Sequence, residues 1–475
     1  MNEPINPNQA SPTSSLDPKT TEDLVHDLGT GIEEEVLSAL DAQDLGRVRE
    51  LVADLHFSDT ADLLERLDND HRASLIEVLR EDFDADILPD LDDVVREEVI
   101  ELLGVEGVAA ALVDLDSDDA VEVLEELDEE GQKQVLNSIP EGNRQLIQEG
   151  LSYPDDSAGR LMQREMVTAP TFWTVGDAID YLRTSAEQED NPLPDHFYSL
   201  FVVDPKHRPT GSVHLDTLLR TKRPVKLSDI MEDDLKHIPV TADQEDVAFL
   251  FRQRDLVSAP VVDDAGRLVG VITIDDIVDV IDEEHEEDIM RMGGVLEDDL
   301  YDAVIDTTKA RFSWLAINLL TAIVASGVIG LFDATIDQMV ALAVLMPIVA
   351  SMGGNAGTQT LTVAVRALAM KEITATNARR LIRKEFVVGG INGCLFAALT
   401  GGVAWYWFES AALGGVIAMA MVVNMAVAGL AGTTIPILLD KNNIDPAIAS
   451  SVFLTTITDV VGFFAFLGLA ALVLV

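Results

Sequence analysis

Hydrophobic and polar positions are distributed very differently along the two ends of the chain. Over the last third, apolar residues run on with no strand or one-sided helical periodicity, in stretches 314–332, 338–365, 386–408, 411–439 and 446–475. As a helix the shortest would span about 28 Å, roughly the hydrocarbon thickness of a bilayer. Five such stretches in succession predict a membrane domain over 312–475 rather than buried helices of a soluble core. Upstream, residues 1–28 are rich in Asn, Pro, Ser and Thr and predict a disordered tail. Residues 29–152 show short amphipathic helical segments, and 153–284 change to a strand, helix, strand, strand, helix rhythm that occurs twice, over about 158–228 and 229–284. A helix over 285–311 is expected to connect this part to the first span.

Both upstream regions are internally repetitive. Ser58-Asp59-Thr60-Ala61 leading to Leu64-Glu65-Arg66-Leu67-Asp68 matches Ser117-Asp118-Asp119-Ala120 leading to Leu124-Glu125-Glu126-Leu127-Asp128, about 60 residues later. Ser or Asp is expected to cap each helix, which predicts a small superhelical stack of either hand. In the second strand–helix copy, HIPV, DQEDVAFLFRQRD, SAPVVD, RLVGVIT and IDDIVDVIDEE follow one another, with Asp-Asp-Ala-Gly as a hairpin turn.

Charge sharpens the division. The 475 residues carry 84 acidic against 32 basic side chains, a formal charge of −52, although 48% of residues are hydrophobic. From 311 onward there are 8 basic and 8 acidic residues, leaving 24 against 76 in 1–310. Such an acidic half repels phosphate backbones, which excludes nucleic-acid binding as a main role. One cysteine, Cys394, permits neither an intrachain disulfide nor a thiolate metal cluster. No nucleophile-and-base constellation, Walker motif or glycine-rich phosphate loop is present, so an enzyme is not expected. The first residues lack the basic and apolar regions of a secretory signal. Lys309 and Arg311, then Arg366, Lys371, Arg379, Arg380, Arg383 and Lys384, then Lys441, all fall on one side of the spans, whereas 333–337 and Glu409 contribute only acid. The positive-inside rule therefore places the first 310 residues in the cytosol and the C-terminus outside. Ten Lys against 22 Arg and acid spread through the whole first half also fit a salt-rich cytosol, where dense carboxylates keep a protein hydrated.

Asp459, in SVFLTTITDVVGFF, is a carboxylate at mid-span, costly in lipid and so expected to face water or a partner. Thr455, Asp459 and Gly462 share a helical face. Pro347 and SMGGNAGTQT at 351–360 predict a second span broken in its middle, and Asn424 and Pro436 interrupt the fourth. These polar positions predict a hydrophilic path, with close helix packing through small residues as the rival explanation. Hydroxyls, carbonyls and one carboxylate suit a hard, reluctantly dehydrated ion, whereas thiolate or imidazole would be expected for softer metals.

GGNAGTQ at 353–359 with LTTITDVVGF at 454–463, in five spans after a long acidic region, resembles the MgtE family of magnesium channels and transporters. The resemblance implies a multidomain membrane protein with an α-helical superhelical N domain, an α/β tandem CBS pair, a plug helix and a five-helix transmembrane domain. It implies a homodimer in the cell membrane, with a pore lined by the second and fifth spans, where Asp459, Thr455, Asn424, Gly353, Gly354 and Asn355 attend hydrated Mg2+. Regulatory Mg2+ would be held by Asp118 and Glu122 of the N domain, by Asp243, Glu245, Asp255 and Asp276 of the second CBS copy, and by Glu284, Glu287 and Asp288 at the start of the plug. CBS pairs often bind adenine nucleotides through a Ser/Thr-x-x-Asp step. Thr273 to Asp276 supply it in the second copy, but His214 and Thr217 replace it in the first. The expected mechanism is a valve: cytosolic Mg2+ bridges mutually repelling acidic faces and holds the plug against the pore, and loss of Mg2+ lets it open. Two other expectations stand beside this one, transport of another divalent cation such as Mn2+ or Co2+, and a membrane-anchored CBS sensor that moves no ion.

Overall fold

The computed structural model describes residues 30–186, 193–194, 196–295, 304–374, 376–442 and 444–475. The predicted tail at 1–28 lies outside them. Two units are distinct, one of residues up to 247 with 255–276, the other of 248–254 with 277–475.

The first unit opens with helices α1 (Thr30–Asp41), α2 (Leu45–Val52), α3 (Phe57–Arg66), α4 (Asn69–Leu79), α5 (Asp93–Asp114), α6 (Ser117–Glu125), α7 (Glu129–Ser138) and α8 (Glu141–Gly150). Their apolar faces share one core that includes Leu63, Leu64, Leu88, Val99, Leu112 and Leu124. The repeat is visible in the caps. Asp68 accepts from the His71 amide at 3.0 Å and Asp128 from the Gly131 amide at 2.7 Å, each starting the second helix of a pair. The first helix of each pair is entered differently from expectation, since His56 and Asp116, not Ser58 and Ser117, hold the N-cap positions. Buried arginines tie helix ends down. Arg72 donates to the Leu64 and Leu67 carbonyls, both at 2.9 Å, and Arg96 to Leu91 and Pro89 at 2.8 and 3.0 Å. The Leu64 and Leu67 carbonyls end α3 and would otherwise be orphaned, and those of Pro89 and Leu91 lie in the turn that leads into α5. Gly104, at φ 71°, kinks α5 where an L side chain would be strained.

After the short helix α9 (Ala158–Leu161) come two copies of one motif. In the first, β1 (Thr168–Pro170) pairs parallel with β2 (Ser199–Val203), which pairs antiparallel with β3 (Pro209–His214), with helices α10 (Val175–Ser185) and α11 (Leu215–Arg220). In the second, β4 (Ile238–Pro239), β5 (Ser258–Val262) and β6 (Leu268–Thr273) pair in the same way, with α12 (Gln244–Arg254) and α13 (Ile274–Gly293). The duplication extends to the hairpin. Asp204 accepts from the amides of residues 206 and 208, and Asp263 from those of 265 and 267; His207 and Gly266 each take positive φ at the same place. Phe201 and Val203 of one sheet pack against Leu268 and Val271 of the other.

The second unit contains five helices long and apolar enough to cross a membrane: α14 (Val304–Gly330), α16 (Ala341–Ala369), α17 (Ala378–Phe408), α18 (Ala411–Asp440) and α19 (Pro446–Val473), with α15 (Asp333–Gln338) as a short link. Half of the most apolar stretch of α18 is buried, against 6% for α14, so α18 is the centre of the bundle. Two expectations are corrected here. The second span is not broken: α16 runs continuously through Pro347, which lies in its second turn and removes only one helical bond near an end. The connector is not one helix over 285–311 either. It continues the last CBS helix to Gly293 and ends at Gly294, whose φ of 79° is the left-handed termination that glycine favours; residues 296–303 lie outside the description and α14 begins at Val304.

Candidate functional site

In the membrane unit, Asp459 stands halfway along α19 and is half-buried. One turn earlier Thr455 is exposed, its hydroxyl donating to the Ser451 carbonyl at 3.0 Å; Thr458 is fully buried and donates to Leu454 at 3.1 Å. Each threonine thereby satisfies its proton within the helix, and the exposed Thr455 keeps oxygen lone pairs free for a ligand.

Asn424 occupies a different position from that expected of a pore group. It is fully buried in α18, its Nδ2 donates to the Val349 carbonyl of α16 at 2.8 Å, and its Oδ1 has no partner among the described residues. Gly353 of α16 and Gly462 of α19 make room for it. A Cβ at Gly353 would collide with the Asn424 amide, and one at Gly462 would approach Nδ2 to 2.7 Å. Gly357 faces Leu454, where a Cβ would come within 2.8 Å. Gly353 and Gly357 are therefore packing positions at which α16, α18 and α19 meet. Gly354 has open space around it and Asn355 is exposed.

That exposure belongs to a pattern. Ser351, Asn355, Thr358, Gln359 and Thr362 are all exposed on α16, at the spacing of a single helical stripe. Of these, only Asn355 was expected at a site. The i, i+4, i+7, i+8, i+11 order of polar residues inside an apolar span is the signal that would have found the rest.

In the first unit, carboxylates crowd the start of α6. Burial together with the nearby Asp276 and Asp119 carboxylates pushes the Asp118 carboxyl well up, and burial with Asp276 and Glu122 raises Asp119 to about 8. Asp118 and Asp276, expected as metal ligands on different domains, do approach each other; Asp119 was not foreseen. Glu122 is drawn toward Arg96 at 2.9 Å. Ser117 joins this corner to the CBS pair, its amide and hydroxyl donating to Glu165 at 3.2 and 2.7 Å.

The remaining expected ligands have local duties or lie exposed. Asp243 caps α12 by accepting from the Glu245 amide at 3.0 Å, and Asp255 is exposed at positive φ just after α12. Asp276 accepts from the Thr273 hydroxyl at 2.8 Å, so the nucleotide step closes on itself in a capping turn. His214, where the first copy departs from that step, hydrogen-bonds Ser199 at 2.8 Å.

On α13, Glu284, Glu287 and Asp288 share one face, as expected from i, i+3, i+4 spacing. Arg291, unforeseen, lies on the same face, pairs with Glu287 and reaches Asp445 at 2.5 Å. Asp445 in turn caps α19 through the Ala447 amide at 2.7 Å. Burial, Asp445 and Glu284 together raise Asp288 to about 6. Among the described residues, no three His, Cys, Asp or Glu side chains converge closely enough to hold a bare ion. The acidic positions form pairs and crowded faces rather than finished coordination shells.

A family model described as divalent cation transporter matches residues 346–469, one described as the MgtE intracellular N domain matches 55–156, and a CBS domain model matches 227–283. Proteins described as magnesium transporter MgtE are similar over most of their length: that of Enterococcus faecalis is 33% identical over 69% of this chain and 71% of its own, and that of Bacillus subtilis 33% identical over 70% and 73%. The Thermus thermophilus protein of the same description is 34% identical over 68% and 71%. Among solved structures, the cytosolic domain of the Mg2+ channel MgtE in complex with ATP is 27% identical and covers 52% of this chain and 99% of its own, at a TM-score of 0.48. With the N domain, a CBS domain and most of the membrane unit matched in order, and relatives at 33–34% identity covered over more than two thirds of their length, the chain belongs to the MgtE family.

Proposed function

We propose that this chain carries magnesium ions across the cell membrane as a homodimer, into the cytosol, with the acidic unit cytoplasmic and the C-terminus outside. The observation that carries the proposal is the polar stripe on α16, Ser351 to Thr362, exposed in a helix that must cross lipid. Facing hydrocarbon, each of these groups would lose its water without replacement. Facing the same stripe of a second copy, they line a wet path that α19 joins through Thr455 and Asp459. A hydrated divalent cation fits such a path: hydroxyls and amides contact its water shell while the carboxylate balances its charge. With no ATP-hydrolysing motif, flux runs down the electrochemical gradient, which favours entry of a cation into a negative interior.

Closure is assigned to the same ion. Crowded carboxylates at Asp118, Asp119 and Asp276 are uncomfortable without a counter-cation, and Mg2+ supplies one. Glu284, Glu287 and Asp288 extend this control to the connector. A salt-rich cytosol would screen charges beyond about 3 Å at 1 M, so control rests on directly bound ions rather than long-range repulsion.

Magnesium flux into liposomes bearing the full chain, with internal magnesium low or high, tests both parts. Flux that needs Asp459 and stops at high internal magnesium is expected. Flux indifferent to internal magnesium would keep the path and remove the valve, and absence of flux would favour a membrane-anchored CBS sensor. Competition by Mn2+ and Co2+ in the same assay decides among divalent cations.

A further inference from the structure

The structure assigns a second surface, on α17. This helix packs on α18 through Gly389, Gly393 and Gly401, where a Cβ would meet Met425 at 2.5 Å, Val422 at 3.0 Å and Gly414 at 2.9 Å. The opposite flank, two residues out of phase, is exposed along Val387, Ile391, Leu395 and Leu399. At about 100° per residue, the same flank carries Arg380 and Arg383 at its N-terminal end and Tyr406, 91% exposed, at the other. From Arg380 to Tyr406 the helix rises about 39 Å, close to the thickness of a bilayer with its headgroups. One face thus offers cations at one headgroup level, hydrocarbon in between, and a phenol at the other.

Arg379, Arg380 and Arg383 are all exposed, and among the described residues none is paired with a carboxylate. From 311 onward acidic and basic residues are equal in number, 8 of each, so the lack of a partner is not for want of carboxylates. The buried flank of α17 does carry a carboxylate, Glu385, but it is held by Lys384 at 3.1 Å. The arginines instead cluster at the N-terminal end of the exposed apolar stripe, where a helix crossing a bilayer would meet lipid phosphates. We propose that this edge of α17 binds the headgroups of anionic phospholipids, with the guanidinium groups donating to phosphate oxygens and the stripe below holding the acyl chains. The pairing gives an acidic protein a cationic foothold on an anionic membrane and fixes the depth of α17.

The test uses the full-length protein in vesicles of equal phosphatidylglycerol and phosphatidylcholine with identical acyl chains. The protein is extracted and its retained lipids are counted by native mass spectrometry. Wild type is expected to retain phosphatidylglycerol in excess, and R379Q/R380Q/R383Q to weaken that preference roughly 10- to 100-fold. R379K/R380K/R383K, which keeps the charge, is expected to retain it. An unchanged excess in the Gln variant would overturn the proposal, as would its loss in both variants with thermal melting unaltered. So would a wild type with no excess whose Gln variant changes the magnesium dependence of flux, since the arginines would then serve an acidic protein surface.

Discussion

The acidic unit and the membrane unit handle carboxylates in opposite ways. Around the start of α6, several share one corner, and crowding with burial lifts Asp119 to about 8. In the spans, Asp459 stands at mid-helix among hydroxyls. A crowd of carboxylates is a site whose occupancy changes with the concentration of a counter-cation, because mutual repulsion is relieved by a bound ion or, without one, by protons. A single carboxylate with hydroxyl neighbours holds an ion weakly enough to release it, which conduction requires. The proposed function assigns sensing to the first arrangement and passage to the second.

The most damaging way to break this comparison is at Asp459. Asp459→Ala should lower magnesium flux by about 10- to 100-fold while leaving melting and oligomeric state intact; near-normal flux would remove Asp459 from the path. Next in size is the helix crossing. Gly353→Leu, driven into the Asn424 amide, should cost about 1–3 kcal/mol in thermal or denaturant stability, whereas Gly354→Ala, with open space around it, should fall within about 0.5 kcal/mol. Equal effects would mean that the two glycines do not differ in packing.

In the acidic unit, the native state holds protons on Asp118 and Asp119 at pH values where the unfolded chain has released them. Stability without divalent ions should therefore rise as pH falls from about 8 toward 4, and saturating magnesium should flatten the slope. Melting at several pH values, with and without magnesium, reads this directly; a metal-free curve that climbs with pH would refute it. Asp119→Asn should raise the metal-free melting point and reduce the stabilisation by magnesium. The smallest effect is expected at the connector. A double-mutant cycle of Arg291→Ala and Asp445→Ala should give a coupling of about 0.5–1 kcal/mol, and a coupling of zero would make their contact incidental.

Much of this architecture is legible in the amino-acid pattern. Five spans, the helical stack and the doubled strand–helix rhythm all follow from periodicity, because local hydrophobic pattern reports which faces must leave water. Asp459 is legible for the same reason, since ionised groups are rare at mid-span. The second span departs from its pattern, because proline and paired glycines signal a break only by their intrinsic cost. In the folded bundle Pro347 lies near a helix end, and Gly353 answers to Asn424 rather than to a break.

The elements, their order and the segregation of charge are written along the chain, since these depend on residues near one another in it. Which groups from distant segments meet is a matter of tertiary packing: Asp118 and Asp119 with Asp276, Arg291 with Asp445, and Asn424 with Gly353 and Gly462. Nothing in local spacing encodes such a meeting. It is fixed by the packing of whole helices, which decides which flank of each is buried and which is left exposed.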